Sequence, residues 1–133
     1  MTSVSVRYIV DDVDAAIDFY CTNFGFSTAM HPAATFAMLT RGELRLVLSA
    51  PGGGPGGGAV TSDGRTPEPG GWNRFCIETD RLAELVDRLR DRGVRFRGEI
   101  VHGVGGDQII ADDPSGNPVE LFQPTIDEAR LGA

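Results

Sequence analysis

Residues 4–26, VSVRYIVDDVDAAIDFYCTNFGF, decide the fold, because they set out a strand, a cap and an amphipathic helix in that order. Residues 4–10 are rich in β-branched side chains, which suit a pleated strand, and they stop at Asp11 and Asp12. An aspartate there can accept from the free N–H groups of a helix's first turn. Val13, Ala16, Ile17 and Tyr20 then fall at i, i+3, i+4 and i+7, the spacing of one helix face. Gly25 marks the end, since a residue without Cβ takes the left-handed C′ conformation without a clash.

The same pattern returns 69 residues on, where Val13 finds its counterpart in Leu82. Phe75, Ile77 and Thr79 alternate as a strand does, Asp80 stands in the place of the first cap, and Leu82, Leu85, Val86 and Leu89 repeat the helical spacing. Gly93 ends this helix, with the offset shortened by one. Three short strands are expected after each helix: 26–30, 35–39 and 44–48 in the first half, then 94–101, 108–111 and 119–122 in the second. Arg41-Gly42 breaks one pair of strands, Gly103-Val104-Gly105-Gly106 makes a hairpin, and Asp113-Pro114-Ser115-Gly116-Asn117 sets a tight turn. The chain therefore reads as an internal duplication of a βαβββ unit, an α+β domain. One unit alone would leave a sheet face open, so the two are expected to pack and enclose a cavity for a ligand.

Unit 1 is expected over about 3–50 and unit 2 over about 72–124, with a tail at 125–133. Between the units lie residues 51–71, with nine glycines and four prolines, including PGGGPGGG. No Gly-Lys-Ser/Thr follows, so this is no phosphate cradle. It reads as a flexible connector that tolerates shortening, or as a lid over the cavity. A length of 133 residues with 41% hydrophobic content fits one compact domain. The net charge of −7 argues against nucleic acid and anionic membrane surfaces, which are bound through clustered Lys and Arg. No apolar run reaches the length needed to span a bilayer, and MTSVSVRYIVDD lacks the basic and apolar regions of a signal peptide, so the cytoplasm is the expected compartment. Cys21 and Cys76 lack CxxC spacing and are expected to be buried, reduced thiols.

Three stretches, YIVDDVDAAIDFYCTNFGF, ETDRLAELVDRLRDRGVRF and DPSGNPVELFQP, together resemble the vicinal oxygen chelate superfamily of glyoxalases, bleomycin-resistance proteins and extradiol dioxygenases. They frame residues 4–124, nearly the whole chain. The resemblance implies two βαβββ units in a glyoxalase-like open barrel with a cavity between the sheets. Its known activities include lyases, isomerases, dioxygenases, thiol transferases and metal-free drug-sequestering proteins, and its members are commonly dimers.

In metal-using relatives, four strand positions hold the ion, and the resemblance carries these onto Ser5, Leu46, Arg74 and Glu120. Only Glu120 is a ligand of the family's type. Leu46 has no lone pair to donate and Arg74 is a permanent cation, so neither a metal nor another cofactor is expected. Arg74 and Glu120 instead become the polar anchors of a small-molecule site, or a plain salt bridge. Strand alternation adds Arg7, Ile9, Cys76 and Phe122 to the same faces, and Trp72, opening a strand beside the possible lid, joins them as a stacking surface. His31 and His102 nominally complete a two-His, one-carboxylate set with Glu120, but both are expected to be solvated. The expected function is metal-independent binding of a drug or metabolite by a homodimer. The alternative is a lyase, isomerase or dioxygenase using Glu120 as general base or metal ligand.

Overall fold

A computed structural model describes residues 4–52 and 57–130. The chain divides into two compact units, Met1–Gly71 with Pro114–Asn117, and Trp72–Asp113 with Pro118–Ala133. No described helix is long and apolar enough to cross a membrane.

In the first unit, β1 (Ser5–Ile9) leads into α1 (Val13–Phe24), followed by β2 (Ser27–Ala33), β3 (Phe36–Arg41) and β4 (Leu44–Ser49). The sheet order is β1-β4-β3-β2, with β1 parallel to β4 and the other pairs antiparallel. α1 begins as its sequence requires: the Asp12 carboxylate accepts from the Ala15 N–H at 3.0 Å, and Gly25 ends the helix with φ +70°. The helix buries Val13, Ala16, Tyr20 and Phe24. The Tyr20 ring, fully buried, meets Tyr8 and Phe26 edge-on at centroid separations of 6.5 and 5.6 Å. Each such side chain stabilises the fold by about 1.5–3 kcal/mol through burial alone.

The second unit repeats the plan with β5 (Cys76–Glu78), α2 (Leu82–Asp91), β6 (Arg95–Phe96), β7 (Val101–His102), β8 (Gly106–Asp112) and β9 (Pro118–Pro124). Its order is β5-β9-β8-β6, with β7 also on β8, and β5 is parallel to β9 as β1 is to β4. The duplication read from the helix spacing is thus repeated in strand order and direction.

Two details depart from the expected pattern. The single strand at 94–101 is two short ones, broken around Gly98, whose φ of +94° no strand accommodates. Asp80 does not cap α2; its carboxylate accepts from Arg130 at 2.8 Å. The first turn of α2 is satisfied instead by Gln123 of β9, whose Oε1 accepts from the Leu82 N–H at 2.9 Å.

The described residues of 51–71 form no helix or strand, but they are not slack. The Gly52 N–H donates to the Gly58 carbonyl at 2.8 Å, and a Cβ on the buried Gly58 would lie 1.7 Å from the Ala50 carbonyl oxygen, so glycine is required there by contact. The far end is tied by the turn at 113–117. Asn117, buried, donates to the Ile9 carbonyl at 2.7 Å and accepts from the Gly70 N–H at 2.7 Å, while Ser115 Oγ accepts from the Asp11 N–H at 2.9 Å. Part of PGGGPGGG, residues 53–56, lies outside the described residues, and the tolerance to shortening expected of it rests there.

Asn117→Ala would leave the Ile9 carbonyl and the Gly70 N–H without this partner, and a loss of about 1–3 kcal/mol in urea-derived stability is expected. A change below about 0.5 kcal/mol would show that the turn does not hold these two segments.

Candidate functional site

The polar residues singled out in the second half gather on one face of the second sheet. Residues paired across neighbouring strands point to the same side, and Glu120 is paired with Cys76 on β5 and Ile110 on β8. Ile77, Leu121, Ile109, Ala111 and Val119 alternate onto the opposite face, where they are buried, and Gln123 of that set reaches the start of α2. The face away from α2 therefore carries Cys76, Gln108, Asp112, Glu120 and Phe122.

Glu120 is the centre of this face. Arg74, just ahead of β5, donates through Nε at 3.0 Å and Nη2 at 2.7 Å to Oε1. With its amide nitrogen toward the carboxylate, Gln108 donates to both oxygens, at 3.0 and 3.1 Å. The Arg74 and Glu120 side chains keep only 24% and 13% of their surface exposed, so the charge-assisted bonds form largely out of water. Arg74 also donates through Nη1 to the Trp72 carbonyl at 3.0 Å. The Trp72 indole is exposed and lies in no strand, contrary to the sequence reading. It is stacked under the Arg97 guanidinium at 4.7 Å, and Arg97 is anchored on Asp112 at 2.7 Å.

Cys76 is not buried, as expected, but exposed, and Cys21 is half-buried. Desolvation by the surrounding protein is nevertheless the largest influence on the Cys76 thiol. A hydrogen bond to Glu120 and the charge of that carboxylate add to it, Arg74 opposes it weakly, and the thiol is pushed up to about 11. Such a thiol stays protonated at neutral pH and is a poor nucleophile or soft-metal ligand.

The first sheet has its own open face. Tyr8 packs on Tyr20 of α1, and the register pairs Tyr8 with Leu48 and Val6 with Leu46, so these four strand residues all face the helix. Ser5, Arg7 and Ile9 alternate onto the other side, together with Arg45 and Val47 of β4. Leu46, expected among the ligand contacts, is instead a fully buried core residue on the α1 side. The expectation misjudged the parity of β4, because LRLVLS is apolar at residues on both faces; the polar side chain presented there is Arg45.

The donor set can be tested unit by unit against the metal implied by the resemblance. In the second unit the two relevant residues are a guanidinium and a carboxylate bonded to each other. In the first, Leu46 is turned away and the open face offers the Ser5 hydroxyl among arginines. Neither set fits a divalent ion, which requires several carboxylate or imidazole donors. Among the described residues, no three His, Cys, Asp or Glu side chains gather as metal donors. His31 and His102 are exposed; His31 Nε2 lies 3.6 Å from Asp14 and His102 Nδ1 lies 2.7 Å from Asp107.

Sequence reasoning missed Arg45, Gln108, Arg97 and Asp112. For Arg45 the signal was its pairing beside Ser5; the other three are joined to the site only by tertiary contacts.

The family model of the Glyoxalase/Bleomycin resistance protein/Dioxygenase superfamily matches residues 3–121. No curated protein matches the chain by sequence. Among solved structures, a superfamily member from Sphaerobacter thermophilus DSM 20745 is 25% identical, with a TM-score of 0.72 over 92% of this chain and 97% of that one. Lactoylglutathione lyase from Agrobacterium tumefaciens is 21% identical, with a TM-score of 0.69 over 92% of each chain. TnmS3, an antibiotic binding protein from Streptomyces sp. CB03234, is 24% identical, with a TM-score of 0.68 over 94% of this chain and 97% of that one.

The raised thiol gives a pH test. Since only the thiolate reacts, Cys76 in a Cys21→Ala background is expected to alkylate with iodoacetamide at pH 7.5 about two orders of magnitude more slowly than free cysteine. The rate should climb about tenfold per pH unit until near pH 11, and Glu120→Gln should move the profile to lower pH. A plateau near pH 8.5 would contradict the assignment.

Proposed function

Because this chain belongs to the glyoxalase/bleomycin resistance protein/dioxygenase superfamily, we propose that it works as a metal-independent binding protein for a small molecule, a drug or metabolite, as a cytoplasmic homodimer. The fold admits both chemistry and sequestration, since a lactoylglutathione lyase and an antibiotic binding protein share it. What favours binding is one observation: the Glu120 carboxylate is already engaged by Arg74 at 2.7 Å and by Gln108 on both oxygens. A general base needs an open lone pair aimed at the substrate's proton, and a metal ligand needs one aimed at the ion. Here Oε1 carries both Arg74 bonds, and Oε1 and Oε2 share the Gln108 amide once that amide is turned toward them, so protein donors, one of them a fixed positive charge, compete for this carboxylate.

In this reading each unit offers its own face: Ser5, Arg7 and Ile9 on the first, and Arg74, Cys76, Glu120, Phe122 and Trp72 on the second. Arg74 and Glu120 supply fixed donors and acceptors, Phe122 an apolar wall, and the Trp72 ring a stacking surface. Arg97 and Asp112 hold that ring in place.

Purified protein is expected to carry well under one equivalent of transition metal by elemental analysis, with a melting temperature that EDTA leaves unchanged. An ion bound to the native state alone would stabilise it by mass action, and its removal would lower the melting temperature. About one metal per chain, with a melting temperature that falls by several degrees in EDTA, would overturn the proposal.

A further inference from the structure

The open faces of the two sheets treat their arginines differently. On the second, two arginines hold acids, Arg74 with Glu120 at 2.7 Å and Arg97 with Asp112 at 2.7 Å, and Arg95 stands beside Asp112 in the β6–β8 register. On the first, Arg7 and Arg45 stand on adjacent strands, two register positions apart and pointing to the same side. Among the described residues neither has a carboxylate within ion-pair distance, and the strands place no acid on that face at all. Their cross-strand neighbours are Ser5 and Thr40 beside Arg45 and Val47 beside Arg7. In a chain of net charge −7, two like charges left together without an acid form a local positive patch against the protein's overall sign.

Apart from Ser27 and the buried Ser49, the rest of that face is apolar. Ile9, Phe36 and Met38 are half-buried, and Met30, paired with Met38, is exposed. Methionine is unbranched and polarizable and adapts its shape to irregular apolar partners. The Arg7 guanidinium is also hemmed in: a Cβ on Gly57, at φ +92°, would fall 2.5 Å from its Cζ, so the glycine-rich segment lies against it.

We propose that the open face of the first sheet binds an organic anion, an apolar body carrying a carboxylate, sulfonate or phosphate. The anionic group sits on Arg7 and Arg45 and the body lies over Met30, Phe36 and Met38. Guanidinium groups pair with such oxyanions through parallel N–H donors, which a neutral ligand would leave unsatisfied. The inference rests on the small-molecule reading above and narrows it to a ligand class.

Two matched dyes separate the terms: 1-anilinonaphthalene-8-sulfonate, and N-phenyl-1-naphthylamine, which has the same body without the sulfonate. The sulfonate is expected to bind saturably at one site per chain, at least about tenfold more tightly than the amine, and to weaken with added salt. Arg7→Met and Arg45→Met should each cost about tenfold for the sulfonate and leave the amine unchanged, and Arg→Lys at either position should restore most of the loss. Near-UV circular dichroism of each variant guards against dye uptake by a loosened fold. Sulfonate affinity within about twofold of wild type in both Met variants, or an equal loss for both dyes, would overturn the anion assignment while leaving the small-molecule reading in place. If the wild type binds neither dye saturably, both fall.

Discussion

The open face of the second sheet is organised around one half-buried carboxylate. Glu120 sits on β9, the strand between β5 and β8, so its side chain cannot swing out to water past a free edge. A carboxylate so placed must be met by donors, and they come from three places in the chain: Arg74 ahead of β5, Cys76 on β5 and Gln108 on β8. This requirement also pins register. A slip of one residue in β9 would push Glu120 to the α2 side among Ile77 and Ile109, where no donor waits, and turn Leu121 outward.

The same pair fixes what the centre of this face can offer. A guanidinium at position 74 does electrostatically what a cation does, neutralising Glu120, but it brings its own hydrogen-bond directions and offers no open coordination position. The surrounding residues follow suit: the Cys76 thiol is held protonated, and the Trp72 ring is capped by Arg97. In the proposed binding reading, each face would act by shape, stacking and fixed charge, the first through arginines with no acid partner among the described residues and through adaptable methionines.

Much of the fold was legible because its signals are local. Helix periodicity and its repetition 69 residues on, the Asp12 cap, Gly25 and the turn at 113–117 are all short-range statements about backbone preference. Arg74 and Glu120 were found as a pair through the resemblance. What stayed hidden depends on which side a residue faces or on partners far along the chain. β4 buries both Leu46 and Val47, so alternation alone could not tell its faces apart, and Leu46 was chosen where Arg45 stands. Asp80 has the look of a cap, but the acceptor that α2 uses comes from Gln123, 41 residues beyond Leu82. The described glycines of the linker looked like slack, whereas Gly57 and Gly58 are needed for close approach to Arg7 and Ala50. Gln108, Arg97 and Asp112 carry no local motif and enter the site only when β8 is laid beside β9 and Arg97 beside Trp72.

The central claim is that Arg74 and Glu120 act as one interdependent unit, and a double-mutant cycle on folding stability tests it most directly. Arg74→Leu and Glu120→Leu should each cost about 2 kcal/mol or more, since each leaves a largely desolvated charge without its main partner. The double variant should recover most of that loss, giving a coupling energy well above about 1 kcal/mol. Additive losses would contradict the claim and show that the two side chains are neighbours without being partners.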